Sequence, residues 1–118
     1  MTKQKNFVPL LAETQIQPPQ NIRFQLKFVT TGLAVQCPAF NVAPGWTVTL
    51  LPINGSGVNA NPCSVAEDPG MLGTTSARTL PSGSDVSMGW PTVNTANIFA
   101  SGTAGDGLLV VITSLGLG

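Results

Sequence analysis

The chain has 118 residues, of which five are basic and five acidic, with no histidine and no net charge at pH 7. An average soluble domain is about 25% charged and would carry roughly thirty charges at this length, so the repulsion that keeps copies apart is largely missing and the composition points to assembly. Apolar residues make up 42% of the chain, which excludes a disordered polymer and suffices for one domain with a core.

Residues 1–21 are rich in Gln, contain the pair Pro18-Pro19 and show no sustained period of 2 or 3.6. They read as an extended N-terminal arm ahead of a single domain over 22–118. The apolar run from Phe7 to Ala12 is interrupted by Pro9 and is too short for the apolar region of a signal peptide, so a cytoplasmic product is expected. No segment reaches the ~18 consecutive apolar residues of a membrane span.

Ile22 to Thr30 alternates, with Ile22, Phe24, Leu26 and Phe28 on one face and Arg23, Gln25 and Lys27 on the other. That is the period of a half-buried strand. A second strand carries Leu33, Val35 and Cys37 up to Pro38. Ala43-Pro44-Gly45 suits a type II turn, proline presetting φ and glycine accepting φ > 0. It leads into a strand over Trp46 to Ile53, with Trp46, Val48 and Leu50 on one face.

Asn54-Gly55 is the strongest short hairpin signal in the chain, although the Gly55-Ser56-Gly57 run also allows a looser loop. A strand at Cys63 to Ala66 follows, then a long loop over Glu67 to Ser76. Strands are expected at Ala77 to Leu80, at Asp85 to Trp90 after a Pro-Ser-Gly turn, and at Asn97 to Ser101. After the turn Gly102 to Gly107, the last strand, Leu108 to Ser114, is apolar on both faces and belongs in a sheet centre or a subunit interface. Thirteen glycines and ten prolines punctuate about eight short strands with no convincing helix. The expected fold is all-β, an antiparallel sandwich of jelly-roll type.

Chemistry has little to draw on. Without histidine, and with two well-separated cysteines, the usual nucleophile-and-base pairs and zinc sites cannot be built. No catalytic residue, cofactor or metal ligand is assigned. Cys37 and Cys63 read either as free packed thiols or as a disulfide between strands. Glu67-Asp68 reads as a solvated loop tip or a weak calcium site, and Asp106 in GTAGDG as a turn residue. It lacks the Lys-Ser/Thr ending of a phosphate loop and precedes a strand. Trp46 and Trp90 suit packing or, alternatively, stacking on a sugar.

The charges are segregated. Lys3, Lys5, Arg23 and Lys27 against Glu13 give the first thirty residues +3, and Arg78 against Glu67, Asp68, Asp85 and Asp106 gives the remainder −3. Three net positive charges neutralise too few phosphates for strong duplex binding, so no direct nucleic-acid partner is expected.

The succession APGWTVTLLPINGSG (43–57), CSVAED (63–68), SARTLPSGSDVSMGW (76–90) and NIFASGTAGDGLLVV (97–111) resembles a pattern in capsid decoration (cement) proteins and related small virion proteins of tailed bacteriophages. Leu80 with Gly83 occupies an L-x-x-G step, and Gly102 with Gly105-Asp106 a closing turn. The likeness covers roughly residues 33 to 114 and leaves the arm unmatched. It implies a small β-sandwich, often a homotrimer, seated on a virion capsid and bridging subunits of the major capsid protein without chemistry. Lys3, Lys5, Phe7 and Leu10 are then the arm's candidate contacts with a neighbour or the shell. A tail, neck or fibre-attachment component is the alternative, and a receptor- or carbohydrate-binding module a third reading.

Overall fold

A computed structural model describes residues 21–83 and 86–114 of the chain. The arm, with its candidate contacts Lys3, Lys5, Phe7 and Leu10, lies outside the described residues, as does Asp85. Two four-stranded antiparallel sheets enclose one core. Strands β1 (Asn21–Lys27), β8 (Gly107–Thr113), β3 (Thr47–Leu51) and β6 (Met88–Gly89) form the first sheet in that order. The second runs β2 (Val35–Gln36), β7 (Phe99–Ser101), β4 (Cys63–Ala66) and β5 (Arg78–Leu80).

The all-β architecture and the antiparallel sheets expected from the alternation are therefore present. Side chains from both sheets interdigitate: Leu50, Val110 and Ile112 from the first meet Val65, Leu80 and Ala100 from the second. Each such side chain, fully withdrawn from water, contributes about 1.5–3 kcal/mol before entropy is set against it.

β8 is central, as its two apolar faces require. It pairs with β1 from Asn21↔Thr113 to Lys27↔Gly107, and with β3 from Thr47↔Thr113 to Leu51↔Leu109. All its residues except Thr113 are buried. β1 keeps Leu26 in the core and exposes Arg23 and Lys27, following the alternation. It begins at Asn21, one residue inside the expected arm, and ends before Phe28. Phe28 nevertheless stays core-facing, because its N–H donates to the Asp106 carbonyl at 3.0 Å and its carbonyl accepts from Gly105 N–H at 2.9 Å.

Other expectations shift. β2 is only Val35–Gln36, and Leu33 is 60% exposed instead of facing inward. The chain turns there, with Leu33 N–H bonded to the Thr30 carbonyl and Gly32 N–H to the Gly102 carbonyl, so the period-2 pattern does not carry through. Asn54-Gly55 makes a tight turn closed by the Asn54 N–H to Gly57 carbonyl bond and an Ile53↔Val58 bridge. It is not a hairpin between neighbours, since β3 and β4 belong to different sheets. The loop after β4 holds a 3-10 turn at Pro69–Met71, and a second at Thr95–Asn97 replaces the start of the expected seventh strand. The turns at Ala43–Trp46 and Thr103–Asp106 form as expected, Gly45 and Gly105 standing at φ +87° and +96°.

Candidate functional site

Three places bring chemistry-bearing side chains together. The first is the acidic loop. Asp68 Oδ1 accepts the Gly70 N–H at 2.8 Å and starts the 3-10 turn. An aspartate at this position satisfies an orphan donor of the turn. Among the described residues, no group of three His, Cys, Asp or Glu side chains is placed to hold a metal ion.

The second is a buried polar staple at the start of β8. The Asn59 carboxamide donates to the Gly107 carbonyl at 2.7 Å and accepts the Gly107 N–H at 2.9 Å. Beside it, the Asp106 carboxylate accepts the N–H groups of Ala60 at 3.0 Å and Asn61 at 3.1 Å. Both side chains are buried. Asp106 is thus more than a turn residue: it ties the loop before β4 to the entry of β8. The only local signal for this was an aspartate between two glycines, and nothing around Asn59 marked its partner.

Cys37 and Cys63 are free, buried thiols, which decides between the two readings of the pair. Burial pushes the Cys37 thiol up to about 11, against a hydrogen bond with Thr95 that pulls it down. Burial also pushes the Cys63 thiol up to about 11, and the Asp106 charge adds to the rise. Thiolates are the reactive species, so the folded protein is expected to leave both cysteines unlabelled by a thiol-disulfide reagent at pH 8 and to release two on denaturation. An unfolded thiol loses its proton near 9 while the folded one keeps it to about 11. Folding stability contributed by the protonated thiols is therefore complete below pH 9 and falls as pH rises toward 11. Denaturant midpoints measured at pH 8.5 and 10.5 check the sign.

The third place is an open groove of about 810 Å³ at the end of the sandwich where β3 begins. The β3–β6 register, continued by the Trp90 N–H to Val48 carbonyl bond at 2.9 Å, sets Trp90 opposite Val48 and two positions from Trp46. Trp90 is 8% exposed and belongs to the core; its Nε1 is shut away from solvent with no hydrogen-bond partner. Trp46 is half-buried, its ring 5.9 Å from that of Phe40, which lies 6.3 Å from Phe24. Pro44 and Pro91 add to the walls, and the lining carries no charged side chain.

Val93 stands at the rim, 76% exposed although apolar. Its carbonyl holds the opposite loop through the Val42 N–H at 2.9 Å. The two tryptophans were legible as packing residues; the groove they share was not, because it arises from strand register and from an exposed valine with no pattern around it.

The arrangement offers apolar contact and shape in place of acid–base groups. No helix among the described residues is long and apolar enough to cross a membrane. Comparison with known proteins leaves the site to be read from its own geometry, for no protein-family model, no curated protein and no solved structure matches the chain.

Proposed function

We propose that the chain is a non-enzymatic structural protein of a virion, a capsid decoration protein that acts as an oligomer and bridges subunits of the major capsid protein. The observation that carries this reading is a neutral, charge-poor sandwich with large apolar side chains on its surface. Val29 is 83% and Leu33 60% exposed near the turn after β1, and Val93 stands out at the groove. Val93 beside the uncharged groove, and Val29 with Leu33 at the other end of β1, are the apolar groups this reading assigns to contact with another protein.

The sheet orders β1-β8-β3-β6 and β2-β7-β4-β5 support reading the winding as a jelly roll, an architecture common among viral capsid domains. That support is a fold-level analogy. The resemblance of residues 33 to 114 to tailed-phage decoration proteins adds the capsid surface as the place and the trimer as the favoured state.

Solution mass at low micromolar concentration is expected to be a multiple of 12.2 kDa. A monomer that stays a monomer at high concentration overturns the assembly reading. Deleting residues 2–20 is expected to abolish binding to undecorated capsids, and unchanged occupancy would remove the arm from the mechanism. Trp46 in an open groove favours one second reading, a carbohydrate-binding module. Glycan-array binding lost in Trp46→Ala, with the fold intact, would promote it over the first.

A further inference from the structure

The groove and the start of the chain meet at one end of the sandwich. Asn21, Thr113 and Thr47 form one row across three neighbouring strands, and Thr47 lines the groove. With strands about 4.8 Å apart, Asn21 lies ~10 Å from that lining. The described chain therefore begins, at Asn21, beside the groove's mouth.

The twenty residues before Asn21 contain one uncharged apolar run, Phe7-Val8-Pro9-Leu10-Leu11-Ala12. Pro9 cannot sit inside a helix and biases Val8 toward extended backbone, so the run suits an extended strip of roughly 20 Å. Grooves lined by tryptophan and proline, with no charge, suit an extended apolar segment that brings its own proline. We propose that the Trp46–Trp90 groove seats residues 7–12 of a second copy's arm, so that copies are joined by exchanged arms. This rests on the oligomeric reading above and names its contact.

The choice of a second copy over the chain's own arm follows from Pro18-Pro19. A proline pair favours extended backbone at ~3 Å per residue, and here one residue, Gln20, separates it from β1. At that rise residues 17–20 cover roughly 10 Å, so occupying its own groove takes a reversal within residues 13–16, whereas an adjacent molecule's groove takes none. From residue 12 to Asn21 the chain can span about 30 Å, enough to reach an adjacent molecule.

The other obvious contact between copies is poorer. β1 is an edge strand seven residues long, but antiparallel pairing of two β1 strands about Gln25 sets Arg23 against Lys27 on both sides. Like charges directly opposite one another destabilise a pair, and charges along an edge strand discourage such pairing. The groove carries no such penalty.

The test uses full-length chains. Leu10→Cys in one preparation and Val93→Cys in another are mixed and oxidised, the native thiols being buried. The expected product is a covalent heterodimer at least tenfold above the homodimers that either variant gives alone. An oligomer of unchanged mass without that heterodimer overturns the groove inference and leaves the assembly reading standing. A chain carrying both substitutions that closes only an intramolecular disulfide overturns the second copy as occupant. A chain that is monomeric throughout removes both readings.

As a second measurement, Phe7→Ser with Leu10→Ser is expected to lower the solution mass and to shift tryptophan emission to the red as Trp46 is uncovered. Unchanged mass and emission overturn the inference.

Discussion

Asn59→Ala is expected to cost about 3 kcal/mol of folding stability, read as a lower urea midpoint with an unchanged slope. At Gly107, β8 has a backbone neighbour on one side only. β1 supplies Lys27, but β3 stops at Leu51, opposite Leu109. The Asn59 carboxamide takes the missing place, giving Gly107 one acceptor and one donor. Alanine leaves both backbone groups buried without partners, and each orphan costs ~1–3 kcal/mol. Asn59→Asp keeps the size but sets an oxygen against the Gly107 carbonyl, so it should cost at least as much. Gln36→Ala, which removes one exposed bond to the Ala96 carbonyl, should stay within about 0.5 kcal/mol.

Gly107→Ala is the second large effect, expected at ~3 kcal/mol because an added methyl there is overpacked against groups that cannot yield. A Cβ at this position would stand 2.5 Å from the Leu26 carbonyl oxygen, 2.8 Å from Gln25 Nε2 and 3.1 Å from the Ile53 carbonyl oxygen. Two of those neighbours are backbone. The third is fixed, since Gln25 Nε2 donates to both carbonyls at 2.9 Å. The methyl would wedge β1 from β8 and break both bonds of Gln25. Gly57→Ala, which meets nothing within 4 Å, is the control. Thermal unfolding of the two variants side by side separates a local clash from a general intolerance of the added methyl, and equal melting temperatures would refute the packing argument.

Strands whose residues alternate over one buried face could be read from the sequence. The Ile22 to Phe28 alternation, the apolar run of β8 and the β4 bounds Cys63–Ala66 all appear where local pattern and burial agree. What escaped depends on distance along the chain. The Asn59–Gly107 and Asp106–Ala60 bonds join residues 48 and 46 apart, and no local period reports such a partner. Leu33 failed for the opposite reason: its alternation was real, but a turn at Thr31-Gly32 took it out of the sheet. The groove depended on how β3 and β6 register, which neither Trp46 nor Trp90 reveals alone.

The pairing of β1 with β8 joins the first and last strands of the described chain, with Asn21 and Thr113 bonded through their side chains 92 residues apart. Because β8 also carries β3, the first sheet has no centre until the final strand exists. Contacts of such long range make closure slow, in the millisecond-to-second range typical of all-β topologies. A nascent chain emerging at roughly 5–20 residues per second thus spends seconds with β1 unpaired and β3 lacking its β8 neighbour. The exposed edges and apolar faces of that interval make synthesis the time of greatest aggregation risk. Premature termination anywhere before Gly107 would leave β1 with no strand of its own sheet to pair with.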